Sequence, residues 1–136
     1  LRHACQRYPE RKFIEEIEND LDVEGDPLLL QLLINNLVEN AVKYSPKDKP
    51  ILCRLNLIGK KIRLEIIDEG DGIPDGEKKK VFEKFYRIGS ESTRKAQGTG
   101  LGLYLCRIIV KDHGGEIFVK DNQPHGSIFI VVFNPQ

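Results

Sequence analysis

The sequence predicts an α+β domain, with helices packed on one face of a mixed, mostly antiparallel sheet. Three observations lead there. Two long stretches carry apolar residues at helical spacing, 27–44 and 101–115. Two adjacent runs, ILCRLNLI and KIRLEIID, alternate like strands and meet at Gly59-Lys60, an antiparallel pair. Strands and helices are interleaved along the chain, with antiparallel connections in excess. The 136 residues, 40% hydrophobic, fit one domain with a real core, spanning 1–136.

The elements follow in order. Residues 11–24, RKFIEEIENDLDVE, alternate loosely and read as a short hairpin or two edge strands. Asp26-Pro27 supplies an N-cap and a proline at the first helical position. From Pro27 to about Tyr44, Leu30, Ile34, Leu37 and Ala41 recur at helical spacing, flanked by Leu33 and Val38. Ser45-Pro46 ends that helix. DEGDGIPDG, 68–76, is too rich in glycine for regular structure. KKKVFEKFYR, 78–87, suits a short helix, and IGSESTRKAQGTG, 88–100, is apolar-poor and reads as a mobile loop. LGLYLCRIIVKDHGG forms the second long helix, stopped by Gly114-Gly115. EIFVK and SIFIVVF close the chain as strands joined through DNQPHG.

Composition excludes several classes. Lys plus Arg equals Asp plus Glu at 21 each, so no global field favours nucleic acid or an anionic membrane. Cys5, Cys53 and Cys106 are odd in number and lack a C-x-x-C pair, which argues for free thiols in a reducing compartment. No apolar run reaches the roughly 18 residues of a transmembrane helix, and no signal peptide opens the chain. The absence of methionine and the start at Leu1 lead us to expect an excised piece of something longer.

The first long helix poses the functional question. Asn36, Asn40 and Lys43 fall at i, i+4 and i+7 and share one face. They are either a solvated polar stripe or ligands aimed at a phosphate-bearing cleft. An amide oxygen is a hard neutral donor suited to Mg²⁺, and a lysine neutralises phosphate as a point cation. Asp68 closes a strand ahead of Gly70 and Gly72. That is either an ordinary acidic turn or a carboxylate for an exocyclic amine, with glycines admitting a flat ring. GTGLGL, 98–103, opens the second long helix with N–H groups free for an anion, but lacks the Walker ending. Between these motifs lie Lys84, Arg87, Arg94 and Lys95. Arg87, beside Phe85 and Tyr86, has the setting of a cation that closes on a terminal phosphate.

NNLVENAVKYS, DEGDGIP, FEKFYR and GTGLGL occur in this order, followed by IIVKDHGG and HGSIFIVVF. Together they resemble the N box, first G box, F box, second G box, trailing helix and final strands of a sensor histidine kinase ATP-binding domain. The similarity covers about residues 26–133, and four ordered boxes are far more specific than any one of them. The resemblance implies a Bergerat-type two-layer sandwich, three helices on one face of a mixed sheet, with ATP under a flexible lid. It makes Asn40 the Mg²⁺ ligand, Asn36 and Lys43 phosphate neighbours, and Tyr44 an aromatic against the adenine. Asp68 reads the adenine amine, with Gly70, Gly72 and Ile73 shaping the pocket. Lys84 and Arg87 stand near the lid, and Gly98, Thr99, Gly100, Leu101 and Gly102 form its hinge and phosphate loop. Asn36, Lys43 and Arg87 become the catalytic candidates.

One position narrows the activity. Related ATPases (gyrase, the heat-shock chaperone, mismatch-repair proteins) carry a glutamate one turn before the metal asparagine, as base for water. Here that residue is Asn36, which cannot accept a proton at neutral pH. Glu39 is rotated about 100° away from Asn40 around the helix. The expectation is therefore phosphoryl transfer to a histidine on a separate domain rather than hydrolysis. The alternatives are a non-catalytic nucleotide-sensing scaffold and an anti-sigma-type serine kinase.

The family's phosphorylated histidine lies on an upstream hairpin and precedes an acidic residue. His3 precedes Ala4, His113 reads as a helix-cap residue, and His125 sits in a turn. Residues 1–10 are expected to be the residual linker from that missing dimerisation and phosphoacceptor hairpin. The implied partners are ATP, that hairpin of the same homodimeric parent and, indirectly, a response-regulator receiver domain. Nucleic acid is not among them. The implied location is cytoplasmic, with or without a membrane anchor on the parent. Tyr104 is bulkier than the small residue expected at its place.

Overall fold

In the computed structural model, residues 2–18, 21, 25–86 and 101–134 are described. The long first helix, α2 (Pro27–Tyr44), begins where Asp26 turns its side chain back: Oδ1 accepts from the N–H of Leu28 at 2.9 Å and of Leu29 at 3.3 Å. Proline at the first helical position has no N–H to leave unpaired. Leu33, Leu37, Val38 and Ala41 are fully buried, while Leu30 and Ile34 pack at the margin of the core. The apolar stripe is the expected one, rotated slightly toward Leu33 and Val38. Helix α3 (Gly102–Asp112) buries Cys106, Ile109 and Val110 against it. Its end is closed as glycine predicts: Gly114 has φ +70°, and Gly115 N–H bonds the Val110 carbonyl at 2.9 Å.

The five strands are β1 (Phe13–Ile17), β2 (Ile51–Ile58), β3 (Lys61–Asp68), β4 (Glu116–Asp121) and β5 (Ser127–Phe133), in the spatial order β1-β2-β3-β5-β4. β1 is parallel to β2, and every other pairing is antiparallel. The register sets Cys53 beside Ile66 and Ile66 beside Phe129, so one face of the sheet carries the core. Phe129 is 1% exposed, and Phe82 meets it edge-on at 6.0 Å. Burying one such ring contributes about 1.5–3 kcal/mol. The other face carries a charged ladder in which Glu65 meets Arg54 and Arg63 at 3.4 and 3.5 Å.

Three α-helices cover the core face, as expected, but the short one is not where the sequence placed it. The described part of the run 78–87, residues 78–86, forms no α-helix. Two 3₁₀ turns, Asp75–Glu77 and Lys80–Phe82, precede a turn in which Phe85 adopts φ +64°. Among the described residues of that stretch, Val81 and Phe82 are buried in the core and Tyr86 packs at its margin, too few to hold a helical face. The third helix is α1 (Arg2–Gln6), in the segment expected to be linker; Ala4, 1% exposed, seats it on the core. A second correction concerns 11–24. Among the described residues that segment holds one strand, β1, an edge strand of the sheet that pairs with β2. Its partner β2 is parallel because α2 intervenes as the crossover that parallel strands require. No described helix is long and apolar enough to cross a membrane.

Candidate functional site

The polar stripe of α2 faces the start of α3. Asn36 is partly buried, and its Nδ2 is sealed from solvent with no hydrogen-bond partner among the described residues. A buried donor left unpaired costs about 1–3 kcal/mol, so its retention calls for a ligand. Across from it lies Gly102: a Cβ there would stand 3.5 Å from Asn36 Oδ1. Among the described residues no side chain caps α3, so its first-turn N–H groups are available to an anion beside the orphan amide. Asn40 lies one turn further on, partly buried. Lys43 is paired with Glu39 at 3.0 Å, so Glu39 serves as a counter-ion. Among the described residues no group of three or more His, Cys, Asp or Glu could hold a metal. An amide oxygen such as that of Asn40 is the kind of hard neutral donor magnesium accepts alongside phosphate oxygens and water.

The second half of the site is the loop after β3. Asp68 is 3% exposed, and its Oδ1 accepts from the N–H of Gly70 at 2.9 Å and of Ser127 at 3.3 Å. Burial pushes its pKa up from 3.8, against those two donors and the charge of Arg11. Gly70 has no room for a side chain, because a Cβ would lie 2.1 Å from the carbonyl oxygen of Tyr44. The end of α2 and the Asp68 loop are thus pressed together, bringing Tyr44, Asp68 and Gly70 to one place. Gly72 sits at φ +80°, a conformation other residues avoid. Ile73, 7% exposed, belongs to the core and fixes the loop from below.

The turn between β4 and β5 is the part that sequence reasoning missed. Register pairs Asp68 with Ser127. Asn122 Nδ2 donates to the Asp68 carbonyl at 2.9 Å, and His125 Nδ1 lies 3.2 Å from the Gly70 carbonyl. A Cβ on Gly126 would stand 2.0 Å from the Asp68 carbonyl oxygen. The only signal in the sequence was the Gly126-Ser127 pair opening the last strand, which acquires meaning once β5 is known to lie beside β3.

The F-box region is anchored from two sides. Tyr86 donates its hydroxyl to Glu77, and that bond with its charge pushes the phenol up to about 12. Lys84 Nζ stands 5.4 Å from the Phe85 ring and 6.0 Å from the Tyr104 ring, with Arg107 also 6.0 Å from Tyr104. The bulk of Tyr104 therefore gives two cations an aromatic face. Leu101 precedes α3 and accepts from the N–H of Leu105 at 2.9 Å. Arg87, Gly98, Thr99 and Gly100, with Arg94 and Lys95, lie outside the described residues, as does the loop expected to be mobile.

His113 is the cap residue expected of it, bonded at both ring nitrogens. The three cysteines are free, and burial pushes Cys53 and Cys106 up to about 12, far from thiolate chemistry. A separate cavity of about 700 Å³, walled by Phe82, Arg107, Ile117 and Val119 among others, includes none of the predicted site residues.

The family model described as "Histidine kinase-, DNA gyrase B-, and HSP90-like ATPase" matches residues 25–136. The chain belongs to this ATPase family. Among curated members, the sensor protein CiaH of Streptococcus pneumoniae (serotype 4, strain TIGR4) is 42% identical over 106 residues, 78% of this chain. That overlap is 24% of CiaH, so the chain spans about a quarter of such a relative's length. The structure of the mycobacterial sensor histidine kinase MprB superposes with TM-score 0.85 at 32% identity, over 98% of this chain and 88% of that one. Histidine kinase ThkA in complex with response regulator protein TrrA superposes with TM-score 0.81 at 26% identity, over 99% of this chain and 39% of that one. The histidine-kinase-type ATPase domain thus accounts for the two-layer sandwich and for a site divided between α2, the Asp68 loop and the start of α3.

Proposed function

We propose that the chain binds MgATP and delivers its γ-phosphate to a histidine on a separate dimerisation domain of the same parent protein. The observation that carries this reading is Asn36: a buried amide with an unpartnered Nδ2 occupies the place of a hydrolytic base. An amide donates to a phosphate oxygen and takes no proton from water, so the site favours a nucleophile that brings its own lone pair.

Each residue has a task in that reading. Asp68 Oδ2, the oxygen its two backbone donors do not use, accepts from the adenine amine. Tyr44 lies along the base, and Gly70 and Gly72 keep the loop thin enough for it. Asn36 and the N–H groups at the start of α3 hold phosphate oxygens, and Lys43 turns from Glu39 to phosphate when the nucleotide arrives. Asn40 ligates magnesium, which spreads the charge of the phosphates when bound. Lys84, Arg87, Gly98, Thr99, Gly100, Leu101 and Gly102 are assigned to the phosphates. Catalysis is then alignment and charge stabilisation, with water excluded. The parent is read as a homodimer that passes phosphate to a response regulator in the cytoplasm; the pairing named in the ThkA–TrrA structure supports the partner class.

Mixing the chain with a separately made histidine hairpin and γ-labelled ATP tests the proposal. Acid-labile label on the hairpin is expected. Nucleotide binding without transfer would favour a sensing scaffold, and acid-stable label on a hydroxyl a serine kinase.

A further inference from the structure

Arg11 stands outside the boxes that carry the nucleotide-binding resemblance, yet it is 8% exposed, and a buried guanidinium needs several partners. Its Nε donates to the Lys49 carbonyl at 3.2 Å, Nη1 to the Val42 carbonyl at 3.4 Å, and Nη2 to Ser45 Oγ, which itself donates to the Ala41 carbonyl at 2.6 Å. The guanidinium thus fastens the last turn of α2, where carbonyls have no helical partner and a cation is favoured. That turn carries Lys43 and Tyr44. The Tyr44 carbonyl presses on Gly70, whose N–H bonds the Asp68 carboxylate at 2.9 Å. A continuous path of contacts therefore runs from Arg11 through the helix end to the base-reading carboxylate.

We propose that Arg11 is a positioning residue that sets the discrimination between adenine and guanine nucleotides, by holding the end of α2 against the Asp68 loop. The inference rests on the nucleotide reading given above. Loss of the fork lets Tyr44 and its carbonyl move away from Gly70, so the carboxylate is no longer aimed at the base. Arg11 also acts by charge, favouring the ionised form of Asp68 that burial opposes. Other charged or titratable groups along this path are Lys43 and Tyr44 on α2, Glu69 and Asp71 beside Asp68 in sequence, Asp48, whose charge bears on Arg11, and His125, bonded to the Gly70 carbonyl. Arg11 both bonds the helix end and bears by charge on the carboxylate.

Calorimetric titration of the chain and its Arg11→Gln and Arg11→Lys variants with ATP and with GTP tests this, repeated as the pH is lowered. Arg11→Gln is expected to cut the ATP-over-GTP affinity ratio about tenfold, and to lose ATP binding at a higher pH than the unmodified chain. Arg11→Lys keeps the charge but not the fork, so its ratio falls while its acid limb stays in place. Variants that melt earlier but keep both the ratio and the pH profile would make Arg11 a structural residue only and overturn the proposal. If Arg11→Gln does not fold, an unchanged ratio in Arg11→Lys overturns it alone. No preference for ATP in the unmodified chain would instead remove the nucleotide reading beneath it.

Discussion

His113 accepts a hydrogen bond from the backbone N–H of Asp26: Nε2 lies 3.1 Å from that nitrogen, and Nδ1 lies 2.7 Å from the Ile109 carbonyl. A backbone N–H only donates and a carbonyl only accepts, so the ring is neutral with its proton on Nδ1. One imidazole therefore joins the start of α2 to the end of α3. Gly25 makes room for it, since a Cβ there would meet the ring at 2.3 Å. His113→Ala is expected to lower unfolding free energy by about 1 kcal/mol while leaving ATP affinity intact. Urea denaturation read beside an ATP titration checks both halves. A large loss of affinity at unchanged stability would mean that His113 serves the site directly.

Gly70→Ala places a methyl against backbone, where nothing flexible can yield. The expected result is strong loss of nucleotide binding, with destabilisation of about 1–3 kcal/mol from the displaced loop. Gly76→Ala is the control, because a Cβ there meets nothing within 4 Å. Thermal melts and ATP titrations of the pair should separate widely. Equal behaviour would refute the tight contact between Tyr44 and Gly70.

Asn40→Ala removes the amide assigned to magnesium. Affinity for ATP with magnesium should fall about tenfold or more, while the metal-free affinity changes little, since no buried partner of Asn40 is stranded. Titrations with and without the metal check it. The same affinity in magnesium for both proteins would move the metal elsewhere.

Asp68→Asn should erode the preference for adenine over guanine nucleotides, because an amide can turn and present a donor. The unmodified chain should also show an acid limb. Burial raises the Asp68 pKa above 3.8, so the folded chain keeps this proton to a higher pH than the unfolded chain. In stability, the Asp68 contribution is fullest below 3.8 and declines as pH rises through the folded pKa. In binding the sign reverses, since the amine needs the ionised acceptor: ATP affinity falls as pH drops through that same raised value. Measuring the affinity ratio of unmodified chain to Asp68→Asn across pH cancels the titration of ATP itself. A ratio flat down to the ordinary carboxylate range would exclude Asp68 as the base reader.

Much of this was legible because the causes were local. Asp26-Pro27 starts α2, Gly114-Gly115 ends α3, and alternation with Gly59-Lys60 makes the β2–β3 hairpin, each through contacts within a few residues. The boxes singled out Asn36, Asn40, Asp68 and Gly102 as candidates because residue types at fixed spacing point to chemistry before their geometry is known. The short run 78–87 misled for the opposite reason: its propensity was helical, but among its described side chains only Val81 and Phe82 are fully buried, with Tyr86 packing at the margin of the core.

By itself the sequence determined the two long helices, the central hairpin, the closing strands and the residues that make this an ATPase-family domain. The tertiary structure alone decided that β1 lies parallel to β2, since direction depends on where α2 carries the chain back. It alone brought Ser127, Asn122 and His125 to the Asp68 loop, through the pairing of β5 with β3 across 59 positions of chain. It alone gave Arg11 its place, because a buried charge is fixed by carbonyls and hydroxyls distant in sequence, and no local pattern encodes where those will be.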